Sequence, residues 1–184
     1  MSVSRSPFES HPHYVERMRA DFELLNAMPD AAMQQRLEAE AQTLLSSVLA
    51  IEDAASAKSD EDKEAGPDIL RLERKIDLVL QLLSMQLMDG NTAPECQVQL
   101  SAAGARWEIP GANLPAPGSH VIAAIHVHRF LPRPLRLLAE VLPDQPGWLC
   151  LLFSQPGEVC EELLARHVFQ QHRRHLAGTR RAKR

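Results

Sequence analysis

The chain has few cysteines. Cys96, Cys150 and Cys160 are odd in number and form no Cys-x-x-Cys pair among 184 residues. Reduced thiols in a cytoplasmic protein are the expectation, and a disulfide framework is not. No run of about 18 apolar residues exists, so nothing is expected to span a membrane. Residues 1–8, MSVSRSPF, lack the apolar core of a secretory signal. A Gly-rich phosphate loop, a nucleophile elbow and paired catalytic carboxylates are all missing, so no enzyme activity is expected. What remains is a chain with 45% apolar residues and a net charge of −4, long enough for one domain and an appendage.

The stretch Ile69–Met88 is the most apolar and contains neither Gly nor Pro. Ile69, Leu72, Ile76, Val79 and Leu83 follow a 3-4-3-4 spacing, and Leu87 continues it one position late. That pattern places them on one side of an α-helix as a heptad seam. Leu80 and Leu82 widen the seam beyond what two helices cover. A helix of this length is marginal alone. It is therefore expected to assemble between copies through Ile69, Leu72, Ile76, Val79, Leu80, Leu83 and Leu87. A wide seam and closed symmetry favour a tetramer. The alternative is a bundle with helices of its own chain.

Two other helical patterns precede it. Val15, Met18, Phe22 and Leu25 recur at 3-4-3 and predict a helix over 12–28. Pro29 and Asp30 punctuate, and a second helix is expected to about Ile51, with Met33, Leu37, Ala41, Leu44, Val48 and Ile51 on one face. Ala54–Pro67 has no large apolar residue and reads as an exposed linker. The resulting division is 1–53 for amphipathic helices, 54–67 for the linker, 68–88 for the heptad helix and 89–184 for a strand-rich region with a closing helix and a basic tail.

At Asp89-Gly90-Asn91 the helical period stops. Strands are expected at Cys96–Leu100, Gly104–Ile109, His120–Val127, Arg136–Val141 and Trp148–Phe153, with Pro/Gly turns between them. Short strands at this spacing suggest a small barrel or sandwich. A last helix is expected from about Gly157 to Leu176, with acids at its start and bases at its end to suit its dipole.

Gln99-Leu-Ser101-Ala-Ala-Gly104, between two strands, resembles the (Asp/Asn)-x-Ser-x-x-Gly signature of PilZ domains. The Pro-Gly loop, the strand order and the closing helix over about 95–176 are similar to that family too. The resemblance implies an α+β fold: a six-stranded antiparallel barrel with a C-terminal helix, here preceded by an N-terminal helical region. It also implies cyclic di-GMP as the usual ligand, gripped by an Arg-x-x-x-Arg segment before the first strand. Guanidinium forks suit phosphates and guanines, and Lys cannot replace them. Taking the first strand as 96–100, that place is Asp89–Glu95, which has no Arg and two acids. Gln99 stands at the Asp/Asn position. The degenerate positions Gln99, Ser101 and Gly104 are therefore expected to be structural. Ser101 would make a local hydrogen bond and Gly104 would supply a turn at positive φ.

Other candidates carry less. Arg129-Phe-Leu-Pro-Arg133 matches Arg-x-x-x-Arg but lies downstream of the signature, and is taken as coincidence. His126 and His128 are read as exposed strand histidines, since no third metal ligand is near in sequence. His167, His172 and His175 lack a zinc-binding i, i+4 pair with a glutamate. The segment 166–184 carries seven Lys/Arg and no acid. It is read as a solvated helix end; anionic lipid, and a contact with the acidic linker within or between chains, are alternatives, and nucleic acid is not expected, since no aromatic follows Phe169 to stack bases. The expectation is a PilZ-like regulatory or adaptor protein that binds no cofactor or metal and meets a regulatory protein not identified by its sequence. The alternative is a cyclic di-GMP receptor using Arg71, Arg74 or Arg106.

Overall fold

A computed structural model gives the fold and describes residues 7–8, 11–61, 75–76, 79, 93–109, 114–129, 131–154 and 156–182. Six strands close into one barrel. They are β1 (His13–Leu24), β2 (Glu95–Ser101), β3 (Gly104–Glu108), β4 (His120–Ile125), β5 (Leu135–Leu142) and β6 (Trp148–Phe153). The order around the barrel is β1-β2-β3-β6-β5-β4, and every pairing is antiparallel. Helix α1 (Ala31–Glu61) follows β1, and helix α2 (Glu158–Ala182) follows β6.

The first strand corrects the helix expected over 12–28. Its 12 residues serve two neighbours: His13–Arg19 pair with β2, and Ala20–Leu24 pair with β4. Two periods overlap in this stretch, and Met18 and Phe22 belong to both. The strand period runs through Tyr14, Met18, Ala20 and Phe22, with Glu16 standing where an apolar residue would complete it. Tyr14, Met18 and Ala20 are buried, whereas Val15, which the helical spacing needs inside, is 42% exposed. Pairing on both edges overrode the local 3-4-3 signal.

Helix α1 begins where Asp30 caps it, accepting the Met33 N–H at 2.8 Å. Its buried stripe is Leu37, Ala41, Leu45, Val48, Leu49 and Glu52; Leu44 is half-buried and Ile51 is 41% exposed. The helix runs on to Glu61, so 54–61 are helical and not an irregular linker. The rest of that segment lies outside the described residues. Within Ile69–Met88 only Lys75, Ile76 and Val79 are described. They are helical, with Ile76 51% and Val79 54% exposed. The remaining seam residues, Ile69, Leu72, Leu80, Leu83 and Leu87, lie outside the described residues.

The five later strands stand close to their expected places, although β4 ends at Ile125, before the two histidines. Gly118 and Gly147 take φ of +85° and +84°, the left-handed region that excludes most side chains, in the turns before β4 and β6. One apolar core joins the barrel to both helices. Val98, Leu100, Trp107, Ile125, Leu135 and Leu149 fill it from the strands; Leu45 and Val48 reach it from α1, and Leu164 and Val168 from α2. Among the described residues no helix is long and apolar enough to cross a membrane.

Two substitutions separate strand from helix at the N-terminus. Val15→Lys should change stability by no more than about 0.5 kcal/mol, because the side chain already faces water. Ala20→Lys should cost several kcal/mol, since it drives a charge between β1 and β4. Urea midpoints of the two variants check this; equal loss at both positions would contradict the strand.

Candidate functional site

The signature residues form the β2–β3 hairpin. Ser101 is fully buried. Its Oγ accepts the N–H of Gly104 at 3.0 Å and of Ala103 at 3.2 Å, and its hydroxyl lies 3.2 Å from the Gly104 carbonyl oxygen. The serine thus closes the turn on itself, and no hydroxyl donor remains for a ligand. Gln99 lies on β2, opposite Val15 on one side and Arg106 on the other.

Gly104 is not a positive-φ glycine, contrary to expectation; among the described residues only Gly118 and Gly147 are. Its constraint is close approach. A Cβ at this position would fall on the carbonyl oxygen of Leu151, and would lie 2.9 Å from Cγ of Pro7. Buried Pro7 therefore sits directly over the signature glycine.

The segment preceding the first strand is now residues 1–12, not 89–95. It holds one arginine, Arg5, and no Arg-x-x-x-Arg. The Arg129–Arg133 match does not make a pair. Arg129 lines a groove with Arg17, Glu95 and His126, while Arg133 lines a different one with Arg36 and Leu44 of α1. Arg106 is engaged elsewhere. Its Nε and Nη2 meet Asp144 at 2.5 and 3.0 Å, and its guanidinium lies 4.4 Å from the centre of the Trp148 ring. Arg71 and Arg74 lie outside the described residues. Glu95 forms a surface pair with Arg17 at 3.2 Å.

A buried polar cluster was missed by the sequence reading. His167, on α2, is fully buried and stands between Tyr14 of β1 and Glu52 of α1. Its Nε2 lies 3.1 Å from the Tyr14 hydroxyl, and its Nδ1 lies 3.5 Å from Oε2 of Glu52. Burial, reinforced by Glu16 and Glu52, pushes the phenol well above its usual range, so it stays protonated. We assign the tautomer in which Tyr14 O–H donates to Nε2 and Nδ1–H faces the carboxylate. Arg174 lies 3.5 Å from Glu52, and Gln171 bonds to the same carboxylate. His172 lies 2.6 Å from the His13 carbonyl oxygen. A signal was present: Glu52 follows Leu45, Val48 and Leu49 on the apolar stripe of α1, and His167 follows Cys160 and Leu164 on that of α2. The cluster ties both helices to β1.

The basic segment makes its contacts at the same junction. Arg166 pairs with Asp53 at 2.8 Å and Gln170 bonds to the same carboxylate at 3.1 Å, just before the stretch expected as an acidic linker. His126 and His128 are not exposed strand residues. They follow β4, with His126 buried and His128 half-buried. Among the described residues no three His, Cys, Asp or Glu side chains are grouped to hold a metal ion.

Burial holds His126 below its ordinary pKa of 6.5, with Arg19 adding to the effect and a bond to the Leu131 backbone opposing it. His128 is lowered too, mainly by burial, against the pull of Glu52. A histidine with a lowered folded pKa binds its proton more readily when unfolded. Its contribution to stability is complete above 6.5 and is lost as pH falls from there through the folded value. Urea midpoints should therefore drop between about pH 7.5 and about pH 5.5, and His126→Gln with His128→Gln should flatten that slope.

Comparisons with known proteins now bear on this geometry. The sequence profile described as "Atypical PilZ domain, cyclic di-GMP receptor" matches residues 44–181. No curated protein matches the chain. Among solved structures, the chain is similar to a pathogenic protein from Xanthomonas campestris, described as a new tetrameric PilZ domain self-assembled via an unusual helical bundle. The TM-score is 0.68 at 30% identity, covering 92% of this chain and 93% of that one. The profile takes in five of the six strands and the closing helix. The chain belongs to the atypical PilZ domain family.

Proposed function

We propose that this protein is a non-enzymatic regulatory module that works through protein contacts and does not take up cyclic di-GMP. The observation that carries the reading is the signature hairpin, closed on itself by Ser101 and covered at Gly104 by Pro7. A ligand approaching the signature glycine would have to displace the chain's own N-terminal segment. Residues 1–12, which lead into the first strand, hold no arginine pair that would grip its phosphates. Of the arginines that could substitute, Arg106 is already held by Asp144 and Trp148.

Calorimetric titration with cyclic di-GMP tests this. No heat of binding is expected at micromolar concentrations, and a saturable isotherm would make the protein a nucleotide receptor, with Arg74→Ala the next variant to try.

The second part of the proposal is assembly. The similar Xanthomonas campestris protein is a tetramer built on a helical bundle, and the seam over Ile69–Leu87 is the part of this chain suited to such a bundle. Ile76 and Val79 support it: two apolar side chains half open to water on a single chain, at seam positions. A second copy would cover them. The protein is expected to sediment as a tetramer. Ile76→Asp with Val79→Asp should give a smaller species whose barrel stays folded, because neither side chain belongs to the barrel core. A monomeric wild type in analytical ultracentrifugation would refute the assembly and leave the adaptor reading to stand or fall on its own.

A further inference from the structure

Helix α1 and the chain between β4 and β5 enclose a groove of about 770 Å³. Leu44, Leu131 and Pro134 give it an apolar lining, and Arg36, Arg133 and Arg136 stand around it. Leu44 and Leu131 are only partly buried, packed on the core from outside. Neither Ser101 nor Gly104 of the signature hairpin lines this groove.

Its hydrogen-bonding character is one-sided. The hydroxyls of Thr43 and Ser47 donate to the backbone carbonyls of Ala39 and Thr43, at 2.8 Å each. Pro132 and Pro134 have no N–H to offer. The strong donors left are the guanidiniums. Arg136 is shared with Glu23 at 3.2 Å. Arg36 and Arg133 are exposed and, among the described residues, neither is ion-paired, whereas Arg17, Arg106 and Arg136 on the barrel are. With Arg136 offset by Glu23, Arg36 and Arg133 face one lining carboxylate, Glu40. In a chain of net charge −4, this is a local positive site on an apolar bed.

We infer that this groove docks an acidic, leucine-bearing segment of a partner protein. Carboxylates would answer the Arg36 and Arg133 forks, and apolar side chains would lie along Leu44, Leu131 and Pro134. The inference rests on the adaptor reading and names the surface that reading needs. A ligand rich in donors would find no carboxylate here beyond Glu40.

The test is fluorescence anisotropy with a labelled synthetic peptide of alternating Glu and Leu pairs. Saturable binding is expected with a Kd of about 1–100 µM, weakening several-fold as salt rises from about 50 to about 300 mM. Arg36→Glu with Arg133→Glu should weaken it about tenfold or more, with an unchanged thermal melt, since both side chains are exposed. Arg36→Gln with Arg133→Gln gives a milder second variant should the first misfold. Arg173→Glu, a charge reversal on α2, should leave binding intact. The inference is overturned if the peptide fails to saturate, if the Gln variant binds it undiminished, or if a peptide with Lys in place of Glu binds equally well. Unlabelled cyclic di-GMP separates the two levels. Displacement of the peptide by the nucleotide would overturn the adaptor reading with this inference. A silent peptide together with silent nucleotide calorimetry would overturn this inference alone.

Discussion

Closure of the barrel by β1 is the constraint on which the rest of the molecule depends. The strand pairs with β2 through its first half and with β4 through its second. Without it both β2 and β4 would present an open edge, with unpaired N–H and C=O groups ready to recruit another chain. The closing strand lies far from its partners in sequence. Between it and β2 the chain inserts α1 and the whole heptad stretch, about seventy residues in all. A barrel closed this way holds both ends of a long insertion in fixed places. The helix that opens the insertion is thereby coupled to the strand that makes the barrel one piece.

The junction of β1 with the two helices is where that coupling is made. Apolar packing alone would let α1 and α2 slide along the barrel, because hydrophobic contact is not directional. Tyr14, His167 and Glu52 add direction, one group from each of the three elements. Each is almost fully buried, so each needs its neighbours in place. Arg174, Gln171 and, one residue beyond Glu52, the Asp53 pair with Arg166 continue the same seam outward. Two of the bases on α2, Arg166 and Arg174, are thus used within the fold.

Much of this was legible in the sequence. The five later strands and the closing helix followed from period-2 alternation and turn residues, which left barrel and sandwich open; the resemblance carried by the signature hairpin pointed to the barrel. The first strand was not legible, because Val15, Met18, Phe22 and Leu25 satisfy a helical period while Glu16 interrupts the strand period. Only the tertiary fact that both neighbouring strands need a partner decides between them. The seam over Ile69–Leu87 was the strongest periodic signal in the chain, yet of its residues only Ile76 and Val79 lie among those described. The buried cluster was legible in principle, as one acid and one histidine on otherwise apolar stripes. It went unread because a stripe is usually scanned for what continues it and not for what breaks it. Gly104 was expected to supply a positive φ, but its backbone is ordinary and the space over it is occupied.

Three of the barrel's arginines are engaged by neighbouring carboxylates. Guanidiniums recognise phosphates only when they are free, convergent and close to the signature turn. Here Arg106 is locked against Asp144 and Trp148, Arg17 faces Glu95, and Arg136 faces Glu23. Each sits on a strand whose other face packs the core, so the pairing is part of how that strand presents itself to water. Arg36 and Arg133, without an ion pair among the described residues, stand instead on the flank of α1, next to apolar side chains that the barrel does not cover. The serine–glycine turn serves the hairpin through three hydrogen bonds and one close approach. Of the three arginines around the groove only Arg36 stands on the inserted helix; Arg133 and Arg136 come from the chain after β4, so the groove's charge is assembled from two separate parts of the fold.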